Sequence, residues 1–464
     1  MRIVIDLQGA QTNSRFRGIG RYTLSFTKAL IRNNSEHEFL LALNGLFPHT
    51  IQAIRDEFTG ILPASAILVW HAPGPVSNLE LGIRWRHSVA ELLREAFFES
   101  LQPDVIHISS FLEGYVDSPI ASIGKFDRKT PVSISLYDLI PLTNPQQYLD
   151  PYPLFKAFYM SRVEQLRHAS MLFAISDFCR IEGLQNLAVS EYKIVNVSSA
   201  VEPTFQPAAD CPNRQQYFSD TFGINRPYIL YTGGADERKN LPRLIHAFAK
   251  LPQEIRRTHQ LVFAGKLLDN EAYRLKREAK SAKLKGDEFI LTGYVTDNDL
   301  IQLYSRCELY VFPSWHEGFG LPALEAMACG APVVSARSSS LVEVIAKDNA
   351  LFDPFSEEDI TRIITQALSD QGFRQELIDH GVEQSRKFSW EKTARKAMDA
   401  LNELEPGRVG NNGDSRIIDR LIDQLAALPC DEDPTDLQLA RIADCIARNT
   451  CRAECFQPTQ LGDL

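Results

Sequence analysis

The sequence predicts an α/β protein with two doubly wound domains that face a common cleft, followed by a helical tail. At 464 residues the chain is too long for one ordinary hydrophobic core, so two domains are expected. Short β-rich runs alternate with helical stretches in two series, and a segment rich in Pro, Asp and Asn at 203–227 separates them. From Glu405 onward the pattern is helical only.

The first series of elements predicts a parallel sheet. It opens with the strand "RIVIDL" at 2–7, and the stretch "GIGRYTLSFTKALIRN" from Gly18 has apolar positions at helical spacing. The further strand candidates are "EFLLAL", "AILVW", "DVIHIS", "PVSISLYD", "MLFAIS" and "KIVNVS". Helical stretches such as "WRHSVAELLREAFFESL" separate several of them, which is typical of a parallel sheet covered on both faces.

The second series predicts another sheet of the same kind. Its strand candidates are "YILYTGG", "HQLVFAG", "EFILTG", "CELYVFP" and "APVVSA", with helices between them. Ligands of such sheets bind at the carboxyl ends of the strands, where loops meet helix N-termini. Two facing sheets therefore predict a ligand cleft between the domains.

The tail is set apart by its charge. Residues 405–464 hold 6 basic and 11 acidic residues, half of the chain's net charge of −10. After the linker "GRVGNNGDS", two amphipathic helices are predicted at 416–428 and 436–449. Their apolar stripes are Ile417, Leu421 and Leu425, and Leu437, Ile442 and Ile446. Because two short helices make too small a core, we expect them to dock on the two-domain body, a second copy or a partner domain.

The composition also bounds the class of protein. It is that of a globular chain, with 44% hydrophobic and 23% charged residues, and the net negative charge argues against a nucleic-acid binder. The start "MRIVIDLQGA" does not have the pattern of a secretory signal, and no apolar run reaches the ~20 residues of a membrane span. We therefore expect a cytoplasmic protein whose eight cysteines are reduced.

The stretch "SWHEGFGLPALEAMACGAPVVSA" at 314–336 places one carboxylate before a helix and a second inside it. Gly318 and Gly320 let the backbone approach a ligand closely, and a helix that starts near Leu321 directs free N–H groups at a phosphate. Glu317 and Glu325 suit hydroxyl groups, because carboxylates accept hydrogen bonds from them. A ligand with central phosphates and sugars on both sides is a nucleotide sugar.

Two further segments supply possible phosphate contacts. In "YTGGADERKN", Arg238 and Lys239 can neutralise a diphosphate where the next helix begins, although a solvated basic turn is the alternative. "GIGRY" at 18–22 is weak alone, and a simple turn before a helix is the better interpretation of it in isolation.

Together these segments resemble family 4 glycosyltransferases of the GT-B fold over residues 1–400. "PSWHEGFGLPALEAMACGAPVV" is similar to that family's E-x7-E signature. "YTGGADERKN", "LTGYVTDNDL" and "FSWEKTA" fall where the family has its phosphate, base and closing-helix segments. "GAQTNSRFRGIGRYT" and "YDLIPLTNPQQYL" resemble the subgroup that builds bacterial surface polysaccharides of the O-antigen type, often with mannose.

The resemblance implies a division of the chain and of its work. Residues 1–202 would form an acceptor-binding Rossmann-like domain, 203–227 a linker and 228–385 a nucleotide-sugar-binding Rossmann-like domain. Residues 386–404 would form a closing helix that crosses back to the first domain, and 405–464 the acidic helical tail.

The resemblance also implies roles for residues. Glu317 would hold donor-sugar hydroxyls, Glu325 the ribose hydroxyls, and Arg238 and Lys239 the diphosphate. The implied catalytic residues are Glu317, Arg238, Lys239 and Asp138. The implied donor-binding residues are Gly18 and Gly20 for phosphate room, Gly234, the backbone of Tyr294 and Val295 for the base, Gly318, Phe319, Gly320, Leu321 and Glu325.

Two positions depart from the family pattern. Many relatives carry Arg where this chain has Gly234, which makes Arg238 the candidate substitute. Many also have His-Asp where this chain has Tyr137 and Asp138, so the acceptor-side chemistry is left open. Tyr137 and His107 are the acceptor-side candidates, although a lone His after a β run is more often a packed or capping residue.

The function that the resemblance implies is retaining glycosyl transfer onto a lipid-linked or growing polysaccharide, at most peripherally at the inner face of a membrane. GDP-mannose is the first choice of donor and a UDP-sugar the second. The alternatives are a nucleotide-sugar epimerase, which lacks this E-x7-E arrangement, and a non-catalytic glycan-binding or assembly module. Such retaining enzymes lack an obvious protein nucleophile, and front-face substitution assisted by the leaving phosphate is the usual proposal.

We expect no cofactor and no metal. "DND" at 297–299 resembles a metal-binding Asp-x-Asp, but Thr296 or Asp297 as a helix cap, with Asp299 in the first turn, is the better interpretation. The tail cysteines, Cys430, Cys445, Cys451 and Cys455, lack the paired spacing of a zinc site, and Cys445 fits a buried helix face.

Overall fold

The computed structural model describes residues 1–80, 84–209, 214–405, 414–429 and 434–450. Within these residues the strands form two sheets, one of seven strands and one of six. Among the described helices, none combines the length and hydrophobicity that crossing a membrane requires. The strands are β1 (Arg2–Asp6), β2 (Glu38–Asn44), β3 (Ile67–Trp70), β4 (Val105–Ile108), β5 (Val132–Leu136), β6 (Met171–Ala174), β7 (Ile194–Asn196), β8 (Tyr228–Thr232), β9 (Gln260–Ala264), β10 (Phe289–Gly293), β11 (Leu309–Phe312), β12 (Val333–Ala336) and β13 (Leu351–Phe352).

The helices cover both faces of the sheets and continue into the tail. They are α1 (Gly18–Asn33), α2 (Pro48–Glu57), α3 (Arg84–Ser100), α4 (Ile140–Thr143), α5 (Pro145–Tyr148), α6 (Pro153–Leu166), α7 (Asp177–Asn186), α8 (Arg214–Phe222), α9 (Leu241–Ala249), α10 (Gln253–Thr258), α11 (Asp269–Ser281), α12 (Asp297–Arg306), α13 (Leu321–Ala328), α14 (Leu341–Ile345), α15 (Glu357–Ser369), α16 (Gln371–Ser385), α17 (Trp390–Asn402), α18 (Asp414–Ala426) and α19 (Asp436–Thr450).

Both sheets are doubly wound, as the sequence predicts. The strand orders are β3-β2-β1-β4-β5-β6-β7 and β10-β9-β8-β11-β12-β13, and the strand pairs are parallel. The order reverses between β1 and β4 in the first sheet and between β8 and β11 in the second. Ligand crevices of such sheets open at these reversal points, which directs attention to the loops after β1, β8 and β11.

The segment 203–227 is not simply a linker. It contains α8, whose Phe218 is fully buried together with Ile224 just after the helix. Arg214 at the start of α8 is bonded to Asp299 at 3.3 Å. The sequence did not predict this helix, because its apolar residues are few and residues that favour turns flank it.

Helix α17 returns the chain to the first domain. It packs along α1 and contacts β6 and β7. The Trp390 ring meets Tyr22 of α1 edge-on, with ring centroids 5.3 Å apart. The buried face of α17 includes Ala394, Ala397 and Leu401, which repeat at helical spacing.

The tail helices dock on the first domain. Helix α18 packs on α3, and α19 contacts α3 and the edge strand β3. Arg420 binds Glu99 of α3 through both guanidinium nitrogens, at 2.9 and 2.7 Å. Asn449 of α19 exchanges two hydrogen bonds with the backbone of His71, at 2.7 and 3.0 Å.

The predicted apolar stripes are mostly correct. Leu421, Ile442 and Cys445 are buried, whereas Leu437 is 64% exposed, so the stripe prediction is wrong for that residue. The remaining tail cysteines, Cys430, Cys451 and Cys455, lie outside the described residues.

Candidate active site

Loops of the two domains meet at the carboxyl ends of the strands. The loop after β11 lies against the end of β5, where a Cβ added to Gly318 would fall 2.3 Å from the carbonyl oxygen of Tyr137. The Ser176 hydroxyl donates to the Gly318 carbonyl at 2.7 Å. Gly318 therefore permits close approach between domains, in addition to any approach to a ligand.

Glu317 lies between two cations at this junction. Arg238 donates to its Oε2 at 2.7 Å, and Lys239 donates to its Oε1 at 2.6 Å. Burial alone would raise the pKa of Glu317, but the two cations hold it at about 2. Burial lowers the pKa of Lys239, which Glu317 partly opposes. The carboxylate thus stays ionised and fixes both cations in place.

The loop before α13 is held in shape by serines and a glycine. Ser340 Oγ bonds the carbonyls of Glu317 and Phe319 at 2.8 and 2.9 Å, and Ser339 Oγ accepts from the Glu317 N–H at 2.9 Å. Gly320 has φ +101°, a conformation that favours glycine, and α13 starts at the next residue as predicted. The Phe319 side chain is buried and packs edge-on against Phe388, with ring centroids 5.5 Å apart.

The start of α1 faces the start of α13 across the domains. A Cβ added to Gly18 would lie 3.9 Å from Leu321 Cδ1, which leaves Gly18 at the cleft. Gly20 has a different role from the one expected, since a Cβ there would lie 2.3 Å from the Arg15 backbone. Gly20 lets the preceding turn pack on α1, and its phosphate role remains a prediction.

Glu325 is a buried carboxyl one turn into α13. It is 5% exposed. Arg21 of α1 donates to its Oε1 at 2.8 Å, and the Tyr304 hydroxyl donates to its Oε2 at 3.2 Å. Burial raises the pKa of Glu325 to about 7, and Arg21 opposes that rise.

The aspartates of "DND" are both engaged by protein groups. Asp297 accepts from Arg21 at 2.9 Å. Thr296 caps α12 by accepting from the Asp299 N–H, and Asp299 binds Arg214 and the Thr296 hydroxyl. The helix-cap interpretation is confirmed. Among the described residues, no cluster of three His, Cys, Asp or Glu side chains could hold a metal ion.

The acceptor-side candidates lie in different surroundings. Asp138 accepts from the Ile140 N–H at 3.2 Å, and burial raises the pKa of its carboxyl, which Arg238 partly offsets. The Tyr137 hydroxyl donates to the Ser109 carbonyl at 2.8 Å and lies 3.2 Å from the Thr23 hydroxyl. The phenol of Tyr137 therefore bonds within the first domain, and its acceptor-side role remains a prediction.

His107 is packed inside the first domain. It is fully buried in β4, and its two ring nitrogens lie 2.9 and 3.2 Å from the hydroxyls of Ser133 and Ser135. Burial lowers its pKa to about 3. The interpretation as a packed histidine is correct, because the side chain of a mid-strand residue points into the layer of helices that covers the sheet.

The remaining donor-side positions are open. Tyr294 is 73% exposed between β10 and α12, and within the described residues neither its backbone N–H nor that of Val295 donates a hydrogen bond. Nothing lies within 4 Å of a Cβ built at Gly234. Arg238 is the arginine of the loop that contains Gly234. The base role of Tyr294 and Val295 and the phosphate role of Gly234 remain predictions.

Sequence reasoning missed three contributors to the site. Arg21 follows "GIG" directly, one turn from the helix start at the cleft, and that position was the signal that could have found it. The Ser run at 338–340 follows a strand end, as loop-bracing residues do. His316 precedes Glu317, and its ring reaches Glu182 of α7 at 3.0 Å and Asn144 at 3.1 Å.

A separate cavity of about 550 Å³ lies toward the other end of α1, between the two interdomain crossings. Its lining includes Arg32, Phe205 and Trp390, and it does not include Glu317 or Glu325. The carboxylate and cation cluster therefore lies at the closed junction of the loops, away from this cavity.

Comparison with known proteins identifies the family of the second domain and finds relatives that are similar over most of this chain. A family model described as "Glycosyl transferases group 1" matches residues 214–384. The serotype-specific mannosyltransferase WbdA of Escherichia coli is 36% identical over 405 residues, which cover 87% of this chain and 48% of WbdA. The O-antigen chain mannosyltransferase B of Escherichia coli is 32% identical over 278 residues, which cover 58% of this chain and 70% of that protein. The chain thus spans about half the length of WbdA.

Solved structures share the fold. The HepE protein of Anabaena, in complex with UDP and glucose, superposes with a TM-score of 0.64 at 17% identity, over 87% of this chain and all of that one. Sucrose-phosphate synthase of Thermosynechococcus elongatus gives a TM-score of 0.66 at 18% identity, over 87% of this chain and 98% of that one. At such identities the likeness shows the GT-B fold alone, and it confirms the predicted fold class.

Proposed function

The chain belongs to the group 1 glycosyl transferases, and on that premise we propose that it is a retaining hexosyltransferase. Mannose from GDP-mannose is the proposed donor, and a lipid-linked or growing polysaccharide is the proposed acceptor. The names of the similar proteins support mannose, since several are called mannosyltransferases. A UDP-sugar is the alternative donor. A peripheral position at the inner face of a membrane is part of the same proposal.

The observation that carries this proposal is the clamp of Arg238 and Lys239 on Glu317, directly before the N-terminus of α13. Two fixed cations and the free N–H groups of Gly320 and Leu321 would bind a diphosphate. Glu317 would take the hydroxyls of the transferred sugar. The cluster thus provides partners for the central diphosphate of a nucleotide sugar and for the hexose at one end of it.

The chemical step that this arrangement supports is departure of a diphosphate. Negative charge grows on the leaving phosphate as the glycosidic C–O bond breaks, and Arg238 and Lys239 would stabilise that charge. Burial depresses the pKa of Lys239, and the negative charge that grows on the phosphate would oppose this effect and hold the ammonium proton more firmly. The acceptor hydroxyl would give its proton to the leaving phosphate on the same face, which accounts for retention without a protein nucleophile.

The acceptor side rests on the polar groups of the first domain. Asp138 lies near Arg238 and Glu317, and His316 lies against Glu182 and Asn144. We include these groups in the acceptor side of the cleft, in place of the histidine that many relatives carry before the aspartate.

A donor screen tests the proposal. The protein would be incubated with GDP-mannose, UDP-glucose or UDP-N-acetylglucosamine and a mannosylated lipid-linked acceptor, with products analysed by mass spectrometry and the new anomeric centre by NMR. We expect one added hexose with the donor's configuration. Nucleotide binding with no transfer to any acceptor would favour a glycan-binding or assembly module, and binding of no nucleotide would refute the proposal.

A further inference from the structure

Arg21 connects the two domains at the donor carboxylate. It lies one turn into α1 of the first domain and bonds two carboxylates of the second, Glu325 at 2.8 Å and Asp297 at 2.9 Å. The two partners come from different helices, α13 and α12. The guanidinium also lies 5.6 Å from the ring centroid of Phe205. These contacts exist only while the domains are together.

The surroundings of Glu325 explain why this cation matters. The carboxyl is 5% exposed, and burial opposes its ionisation. The other titratable groups that face it are Asp297 and Tyr304 of α12, Tyr310 of β11 and Cys329 after α13. None of these described groups is a cation, so the positive charge at Glu325 comes from the opposite domain.

We propose that Arg21 is a positioning residue that makes Glu325 competent to bind the donor ribose only when the two domains are closed. This inference rests on the proposed function, which assigns Glu325 to the ribose. Nη1 of Arg21 orients Oε1, the Tyr304 hydroxyl orients Oε2, and each carboxylate oxygen keeps a second lone pair for a ribose hydroxyl. Asp297 holds the other end of the guanidinium and fixes its plane.

Ribose recognition is thereby tied to domain closure. When the first domain moves away, Arg21 leaves, and Glu325 loses both the donor that orients Oε1 and the positive charge that favours its ionised form. The open form would release the nucleotide, and the closed form would retain it. Arg21 also gives Asp297 a role that needs no metal ion.

Nucleotide binding by variants tests this role. Arg21→Met keeps an unbranched side chain and removes the charge, whereas Arg21→Lys keeps the charge with fewer hydrogen-bond donors. Arg32→Met is the matched control, since Arg32 lies on the same helix, is exposed, and has no bonded partner among the described residues. Calorimetry would use GDP and UDP and their 2′,3′-dideoxy analogues, which lack the ribose hydroxyls.

We expect R21M to weaken binding of the preferred ribonucleotide by about 10-fold or more, the range for a lost charge-assisted hydrogen bond. Wild type should prefer the ribonucleotide over its dideoxy analogue, and R21M should lose that preference. R21K should recover part of it, and R32M should match wild type. Equal or tighter binding by R21M would overturn the proposal and identify Arg21 as a competitor of the ribose.

A titration without nucleotide separates this proposal from the proposed function. The carboxyl carbon of Glu325 would be followed by ¹³C NMR in protein labelled at glutamate carboxyls, with E325Q for assignment. The pKa should rise by about one or more in R21M and stay unchanged in R32M. An unchanged pKa in R21M would overturn the role of Arg21 even if the nucleotides bind, whereas a raised pKa with no nucleotide bound would refute only the proposed function.

Discussion

The two carboxylates of the E-x7-E segment occupy opposite electrostatic environments. Glu317 lies between two cations, and its pKa is held at about 2, whereas Glu325 has one cation, and burial raises its pKa to about 7. The side chain of Glu317 is therefore ionised at every physiological pH, whereas that of Glu325 titrates near neutral pH. The sequence predicted both residues as ligand contacts, but it could not predict this difference, because Arg21 lies about 300 residues away in the chain.

The titration of Glu325 predicts a pH dependence of stability. Its folded pKa of about 7 lies above the 4.5 of an ordinary glutamate, so the folded state binds the proton more tightly than the unfolded chain. The stabilisation is present below pH 4.5 and is lost as the pH rises to about 7. The free energy of unfolding of wild type relative to E325Q should therefore fall by about 3 kcal/mol over that window. Denaturant unfolding of both proteins at several pH values measures it, and a difference that rises with pH would contradict the environment described for Glu325.

Lys239 predicts a kinetic signature. If charge grows on the diphosphate as the sugar leaves, Lys239→Ala should lower kcat by about 100-fold or more and change KM much less. Steady-state kinetics with saturating acceptor measures both constants. Lys276→Ala on the exposed face of α11 is the control and should behave as wild type. A change confined to KM would show that Lys239 only binds the ground state.

At the scale of elements, regular strands could be predicted and irregular loops could not. The strands of the two series are confirmed because buried parallel strands read as short apolar runs. The two-residue β13 was missed because it has no pattern of its own, and α8 because turn formers surround it. Gly18 and Gly20 belong to one motif, yet one faces the other domain and the other packs on Arg15, a difference that only the path of the backbone determines.

Helix α12 supports a prediction about metal ions. Asp297 is bonded to Arg21, and Asp299 is bonded to Arg214 and to the cap residue Thr296. A divalent cation would have to displace these partners, while Arg238 and Lys239 already offer positive charge for a diphosphate. Transfer should therefore persist in EDTA at the full rate. Activity that is lost in EDTA and restored by Mn²⁺ or Mg²⁺ would contradict this, and D297N would then show whether α12 holds the ion.

At the scale of the whole molecule, the closed arrangement depends on contacts that no single domain contains. Glu343 of α14 accepts from the N–H groups of Asp177 and Phe178, both at 3.0 Å, and Tyr148 donates to Asp236 at 2.6 Å. These bonds join the N-terminus of α7 and the end of α5 to the second domain. Their partners lie far apart in the chain, so the sequence predicted a cleft without predicting what holds it shut.

The tail gives the prediction that concerns the whole chain. Helices α18 and α19 cover the face of α3 that includes Leu93 and Phe97, and Arg420 ties them to Glu99. This face lies at the β3 edge of the first sheet, whereas the cluster of Arg238, Lys239 and Glu317 lies in the second domain. Deletion of residues 406–464 should therefore leave the Kd for GDP or UDP unchanged within about twofold. It should lower the melting temperature and promote association, because the apolar face of α3 becomes exposed.

Arg420→Ala in the full chain is a milder change and should lower the melting temperature by a few degrees at most, since the ion pair with Glu99 is exposed to solvent. Calorimetry, thermal unfolding and light scattering measure these effects. If the truncated protein stayed monomeric but lost nucleotide binding, the tail would act on the donor site through the first domain, and its role would not be confined to covering α3.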